Sequence, residues 1–281
     1  GRARAYGLIG AAFSAGFVAG PLVGGLLGEV SPRAPFWFAA GLSGAAFLYG
    51  LLVLPESLEA RNRAAFSWRR ANPFGALKLL SSHPELGGLA VVNFLLHFAH
   101  HVFSAVFVLY AALRYGWGPL EVGVLLALVG ILDMIVQGLV VGRAVARFGD
   151  RSVMVFGLFG GAVGICLMGL APGGVLFTLA MFPNALWGLA MPTLQSLMTR
   201  RVGESEQGQL QGANMSVASI AGVASPLFFG ALYTATASET ATWYVPGASF
   251  VVAAAVLLAA AILGWAVARQ AERGETTARA P

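Results

Sequence analysis

The acidic side chain set deepest in an apolar stretch is Asp133, near the middle of the run 119–142. A carboxyl at mid-bilayer costs about 2.5–3.5 kcal/mol on insertion scales, so such groups face water cavities and serve ion or substrate paths. A carboxyl that trades a proton for a cationic solute is the coupling group an antiporter needs. Gln137 follows one helical turn later, where its amide can hydrogen-bond either protonation state of Asp133. The alternative role is an aspartate that stays protonated and ties two helices together.

A second polar set runs through 87–113 as Asn93, His97, His100, His101 and Ser104 at helical spacing. His97 and His101 are one turn apart, as in a metal pair, yet no acidic or cysteine ligand shares their segment. No metal or other cofactor is therefore expected. The stripe fits cavity lining, interhelical hydrogen bonds or a histidine in a proton path. Asn184, Trp187 and Gln195 on 174–199, with Asn214 on 208–234, are candidate substrate contacts, and polar packing between helices accounts for each equally well.

The elements that hold these groups must be membrane helices. The 281 residues are 58% hydrophobic and 10% charged, with a mean hydropathy of +0.77. A hydrocarbon core of roughly 30 Å takes about 20 apolar residues in a helix. Eight segments meet that length: 6–28, 35–54, 87–113, 119–142, 152–171, 174–199, 208–234 and 242–268. Turn chemistry separates them at Ser31-Pro32, Trp117-Gly118-Pro119, Phe148-Gly149-Asp150 and Pro172-Gly173. Pro183, Pro192 and Pro226 interrupt helices, at places where a rocking carrier bends.

Arginine and lysine fall almost wholly on one side of these crossings, among them Arg4, Arg61, Arg69, Arg143, Arg147, Arg151, Arg200 and Arg201; Arg33 and Arg114 fall on the other. That bias places both ends of the chain and the 55–86 connection in the cytoplasm. It accounts for the formal charge of +5 without nucleic acid, which would need the cations on one face with aromatic platforms. Cys166 is alone and apolar in context, so it offers no disulfide and no metal cluster.

Two segments repeat. Gly7, Ser14, Val18, Pro21, Leu22 and Gly25 recur at one offset as Gly212, Ser219, Val223, Pro226, Leu227 and Gly230. A carrier built of two related halves shows this pattern. With 208–234 as the fifth helix of a six-helix half that starts at 87, the segment 6–28 is the fifth of the half before it. Four further helices, on the order of 120 residues, are then expected ahead of residue 1, for a whole of twelve. The domains on this reading are 1–54, closing the first half; 55–86, a linker with Phe66, Trp68, Phe74, Leu77, Leu79 and Leu80 among its basic residues; 87–268, the second half; and a tail at 269–281.

The stretch with Gly16, Gly20, Pro21, Gly24 and Gly25 resembles the fifth-helix antiporter motif G-x-x-x-G-P-x-x-G-G of the major facilitator superfamily. Small residues at that spacing let helices approach closely, and the proline removes an N–H. Gly142, Arg147 and Gly149 resemble the superfamily's loop motif, with Ala146 in its acidic place. Pro55-Glu56-Ser57 is similar to a helix exit of the family, and the strings at 28–32, 190–195, 207–212 and 222–227 are similar to the tetracycline-exporter group.

The resemblance implies an all-α major-facilitator bundle in the bacterial inner membrane, with eight helices of twelve in this chain. It implies a secondary transporter that exports amphiphilic, tetracycline-like drugs in exchange for protons, with the small molecule, protons and lipid as its partners. That group carries a carboxylate where this chain has Gly161, and a histidine with a glutamine where it has Asp133 and Gln137. A carrier of a sugar or other metabolite is the alternative. A membrane enzyme is a remoter one, since no paired carboxylates, Ser/His arrangement or HExxH motif is present.

Overall fold

A computed structural model describes residues 2–31, 33–55, 79–80, 84–237 and 243–278. Every regular element among them is helical. Of the expected linker only residues 55, 79–80 and 84–86 are described, so Phe66, Trp68, Phe74 and Leu77 lie outside the described residues; Leu79 and Leu80 are buried.

Helix α1 (Arg2–Val30) is the first of the two repeated segments, and α2 (Ala34–Leu52) follows it across a tight turn. No residue of α2 is buried, and Phe36, Trp37, Phe47 and Leu52 stand in the open. Such an all-round apolar surface suits lipid or further helices, not water. Next come α3 (Pro84–His100) and α4 (Val102–Tyr115), two parts of one crossing parted at His101. Two serine hydroxyls take up backbone carbonyls beside this break. Ser225 donates its hydroxyl to Phe98 O (2.6 Å), and Ser104 donates to His101 O (3.0 Å).

Helix α4 stops at Gly116, left-handed at φ 67°. There the Gly116 N–H returns to Ala112 O and the Trp117 N–H to Ala111 O. The five-to-one return from Gly116 to Ala112 is the usual use of a left-handed glycine past a helix end. Helix α5 (Pro119–Ile135) then starts with proline in its first turn, and the Glu121 carboxylate accepts from the Gly118 N–H at 2.9 Å.

A single π-helical turn, Val136–Val140, continues α5, with the Val141 N–H reaching back to Val136 O. Helix α6 (Val141–Leu170) follows without a loop; Gly149, at φ 77° and ψ 158°, is its one non-helical residue. The segment 174–199 is broken into α7 (Gly174–Leu179), α8 (Met181–Ala185), a 3₁₀ turn (Leu186–Leu189) and α9 (Ala190–Thr199). Helices α10 (Gln207–Ala237) and α11 (Ala248–Ala278) complete the chain.

Six helical stretches among the described residues are long and apolar enough to cross a membrane, against the eight expected segments. The main reason is Gly149. The expected segments 119–142 and 152–171 lie within one 50-residue stretch, Glu121–Leu170, because a single glycine with positive φ turns the chain at the place of the expected loop. The expected 6–28 segment is present as α1, which is not one of the six. Two smaller differences concern proline and the last crossing. Pro226 sits inside the unbroken α10, whereas Pro183 and Pro192 lie in the segment that does break. The last crossing begins at Ala248, not 242, because Val245-Pro246-Gly247 forms a turn, and its helix runs on to Ala278 through most of the expected tail.

The core lies where α6 and α11 pack along each other, with α3 against α11 and α10, and α9 against α6. Its largest fully buried side chains include Tyr110, Phe177, Phe229 and Phe250. On α6, Gly157, Gly160, Gly161 and Gly164 form the seam of closest approach. A methyl group on Gly157 would come within 2.9 Å of Leu186 O, and one on Gly164 would overlap the backbone of Asn184. Small residues at this spacing bring membrane helices into backbone contact. On α1 the picture is different: Gly16, Gly20 and Gly24, expected to serve close packing, meet no described atom within 4 Å. The tight contacts of α1 come earlier, where Gly7 and Gly10 press on the backbone and side chain of Gln137.

Candidate functional site

Asp133 is half-buried near the end of α5, just ahead of the π-turn that carries Gln137. A π-turn adds a residue to a helical turn and is frequent at functional sites. Here both side chains border one glycine of the neighbouring 3₁₀ turn. A methyl group on Gly188 would lie 3.5 Å from the Asp133 carboxylate oxygen and 3.3 Å from Gln137 Cγ. The Gln137 amide is held from the other side by Gly10 of α1. Three elements therefore meet around this pair, Gly188 bordering both side chains and Gly10 the Gln137 amide alone.

Trp187, next to Gly188, is buried, and its ring meets His100 edge-on at 5.3 Å between centroids. A methyl group on Gly161 would come within 3.0 Å of the Trp187 side chain and 2.8 Å of Leu257. A side chain at Gly161 would crowd Trp187 and Leu257, and the acid of this region stands on α5. The side chain reached by Trp187 is His100, not His97 or His101. His97 donates from Nδ1 to Asn93 O (3.0 Å); His101 lies 3.4 Å from the Ser104 hydroxyl and borders Gly222 of α10. The two histidines one turn apart thus have separate surroundings. Among the described residues no group of three or more His, Cys, Asp or Glu side chains could hold a metal.

A second polar layer lies toward the arginine-rich end. Asn93 Nδ2 donates to Asn214 O at 3.4 Å, and Asn214 Nδ2 donates to Gln195 Oε1 at 3.2 Å, which joins α3, α10 and α9. The Oδ1 atoms of Asn93, Asn184 and Asn214 are buried and accept no hydrogen bond from any described residue. Acceptors left without donors in an apolar interior cost on the order of 1–3 kcal/mol each. Asn184 stands apart from this layer, its backbone against Gly164.

At the arginine-rich end itself the loop motif takes an unforeseen form. The stem of Arg4 lies on Gly142, and Arg147 stacks on Phe148 at 5.6 Å. Four residues beyond Ala146, the buried carboxylate of Asp150 meets Arg200 at 2.5 Å. The sequence does not single out Asp150, because it stands four places beyond the motif's acid and only the turn at Gly149 brings it round to Arg200. Close by, the Gln211 amide donates to the Tyr6 hydroxyl at 3.2 Å across 205 residues of chain. That separation is the offset of the repeat, so equivalent positions of the two copies touch. A contact between equivalents lies at the axis that relates them.

The pair is unequal in exposure, Arg200 being 51% and Asp150 4% accessible at the side chain. Arg200→Ala strands a carboxylate away from water, whereas Asp150→Asn lets the guanidinium return to solvent. Arg200→Ala is expected to cost about 1–3 kcal/mol and Asp150→Asn distinctly less. Thermal midpoints of the two variants in detergent check this, and equal losses would refute the asymmetry.

The sequence profile of the Major Facilitator Superfamily matches residues 1–226 and again 89–281. The chain is 35% identical over 257 residues to the class C tetracycline resistance protein of Escherichia coli, covering 92% of this chain and 63% of that protein. It is 36% identical over 242 residues to the class G tetracycline resistance protein of Vibrio anguillarum, covering 86% and 61%. Among solved structures, that of the human organic anion transporter MFSD10 (TETRAN) superposes with a TM-score of 0.79 at 23% identity, covering 94% of this chain and 63% of that one. The chain thus spans less than two thirds of these relatives' own length.

Proposed function

The chain belongs to the Major Facilitator Superfamily, and from that premise we propose that it is part of a secondary transporter that exports amphiphilic, tetracycline-like drugs in exchange for protons. A superfamily of multi-pass membrane transporters sets aside the membrane-enzyme alternative. The observation that carries the proposal is the Asp133 carboxyl, held with Gln137 against Gly188 at mid-depth. It gains weight from the 35–36% identity to two tetracycline resistance proteins.

Asp133 takes up and releases the coupling proton, and Gln137 hydrogen-bonds both states of the carboxyl. Glycine at 188 leaves space beside the acid for a solute group, with Trp187 and His100 on the flank. The layer of Asn93, Asn214 and Gln195 lines the route between this point and the arginine-rich face, which is the cytoplasmic face of a bacterial inner membrane. The antiporter-motif glycines Gly16, Gly20 and Gly24 leave an open small-residue face on α1.

The test is expression of the full-length gene in a bacterium lacking its own pumps. Susceptibility and energy-dependent efflux are measured over a panel that includes tetracycline. Raised resistance, with efflux that collapses on adding a protonophore, is the expected result. No export of any compound on the panel would end the drug assignment and leave a metabolite carrier as the better reading.

A further inference from the structure

The glycine seam of α6 faces the 3₁₀ turn, and the opposite face of the same helix is open. Along that open face, α6 and α11 enclose a groove of about 590 Å³. Its walls change character with depth. Arg151 and Ser152 stand at the arginine-rich end; Phe156, Phe159 and Ile262 line the deeper part, each more than half exposed. The guanidinium of Arg151 lies over the ring of Trp265, 5.2 Å from its centroid, where the two parts of the groove join. Asp150, the adjacent acid, is turned inward to Arg200 and does not line the groove.

This is a polarity gradient, and it selects an amphiphile. Guanidinium and hydroxyl donors suit a phosphate oxygen, with arginine able to grip two at once. Tryptophan is the side chain that settles at the boundary between headgroups and hydrocarbon. From Arg151 to Phe159 the helix rises about 12 Å, enough to follow most of an acyl chain. A free phosphate would use the donors and leave the apolar trough in contact with nothing. The groove opens away from Asp133 and Gly188, on the face of α6 that the transport path does not use.

We propose that this groove is a binding site for an anionic glycerophospholipid, with the phosphodiester at Arg151 and Ser152 and one acyl chain against Phe156, Phe159 and Ile262. The site is separate from the drug pathway and does not depend on which solute is carried.

The experiment uses the full-length protein in micelles doped with lipids brominated on the acyl chain. The fluorescence of Trp265 is isolated as the difference between wild type and Trp265→Phe. Brominated phosphatidylglycerol is expected to quench this component at several-fold lower content than brominated phosphatidylcholine. Arg151→Gln should erase the preference and Arg151→Lys should keep part of it. Millimolar inorganic phosphate should leave the quenching unchanged. Equal quenching by both lipids, a preference that survives Arg151→Gln, or displacement by phosphate alone would each overturn the proposal. Should Arg151→Gln not yield folded protein, Ile262→Phe, which adds bulk without a second indole reporter, provides an independent test. It fills the apolar end and should weaken quenching by both lipids; unchanged quenching would count against the site.

Discussion

Asp133→Asn in the full-length transporter is expected to reduce proton-driven efflux to the baseline of cells without the gene, at unchanged expression. The substitution keeps the size of the side chain and its place beside Gly188 and Gln137. It removes only the ability to bind and release a proton. A carrier that has lost its coupling group still alternates between its two faces, so downhill exchange of labelled substrate in liposomes should persist. That split separates coupling from structure. Efflux that survives in the Asn variant would discard Asp133 as the coupling group. Loss of exchange together with efflux would show a packing role instead. Asp133→Glu should retain part of the activity, because the open glycine at 188 gives a longer carboxyl room.

Asp133 is visible in the sequence because the cost of a carboxyl in hydrocarbon belongs to the residue, whatever its neighbours. Gly188 is not, since a glycine has no chemistry and its value lies in the side chain it leaves out. The same holds for Gly161, which lets Trp187 and Leu257 approach closely. Apolar runs and turn residues locate most crossings within a few positions, because each depends on local chemistry alone. Two local features still escape. The π-turn at Val136–Val140 leaves no mark in composition, and Gly149 has the look of a loop centre when one positive φ is enough to turn the chain.

The arginine-rich end shows the limit of motif reading. An alanine in the acidic place of the loop motif suggests an end without a buried acid, yet Asp150, four residues further on, is buried against Arg200. Charge in a membrane protein is placed by three-dimensional need, and a register shift across a turn can meet that need from another position. The contact between Tyr6 and Gln211 is of the same kind. The repeat is legible as a pattern, but that its equivalent positions touch each other is a fact of the packed bundle.

Glycine patterns are the least decidable of all from one sequence. Both α1 and α6 carry small residues at four-residue spacing, and either could be the tight interface. In the structure the four glycines of α6 meet backbone and side chains of the broken segment, whereas Gly16, Gly20 and Gly24 meet no described atom. Gly164→Val is therefore expected to destabilise the fold by about 3 kcal/mol or more, because the overlapping atoms belong to the Asn184 backbone and cannot rotate aside. Gly164→Ala should lie between Val and wild type. Gly123→Ala, on a face of α5 with no described atom within 4 Å, should be neutral or stabilise by about 0.5–1 kcal/mol through the entropy of the unfolded helix. Thermal midpoints of the full-length protein in detergent rank the three. A Gly164→Val protein as stable as Gly123→Ala would mean that α6 does not approach Asn184 closely, and with it would go the placement of Trp187 and Gly188 beside Asp133.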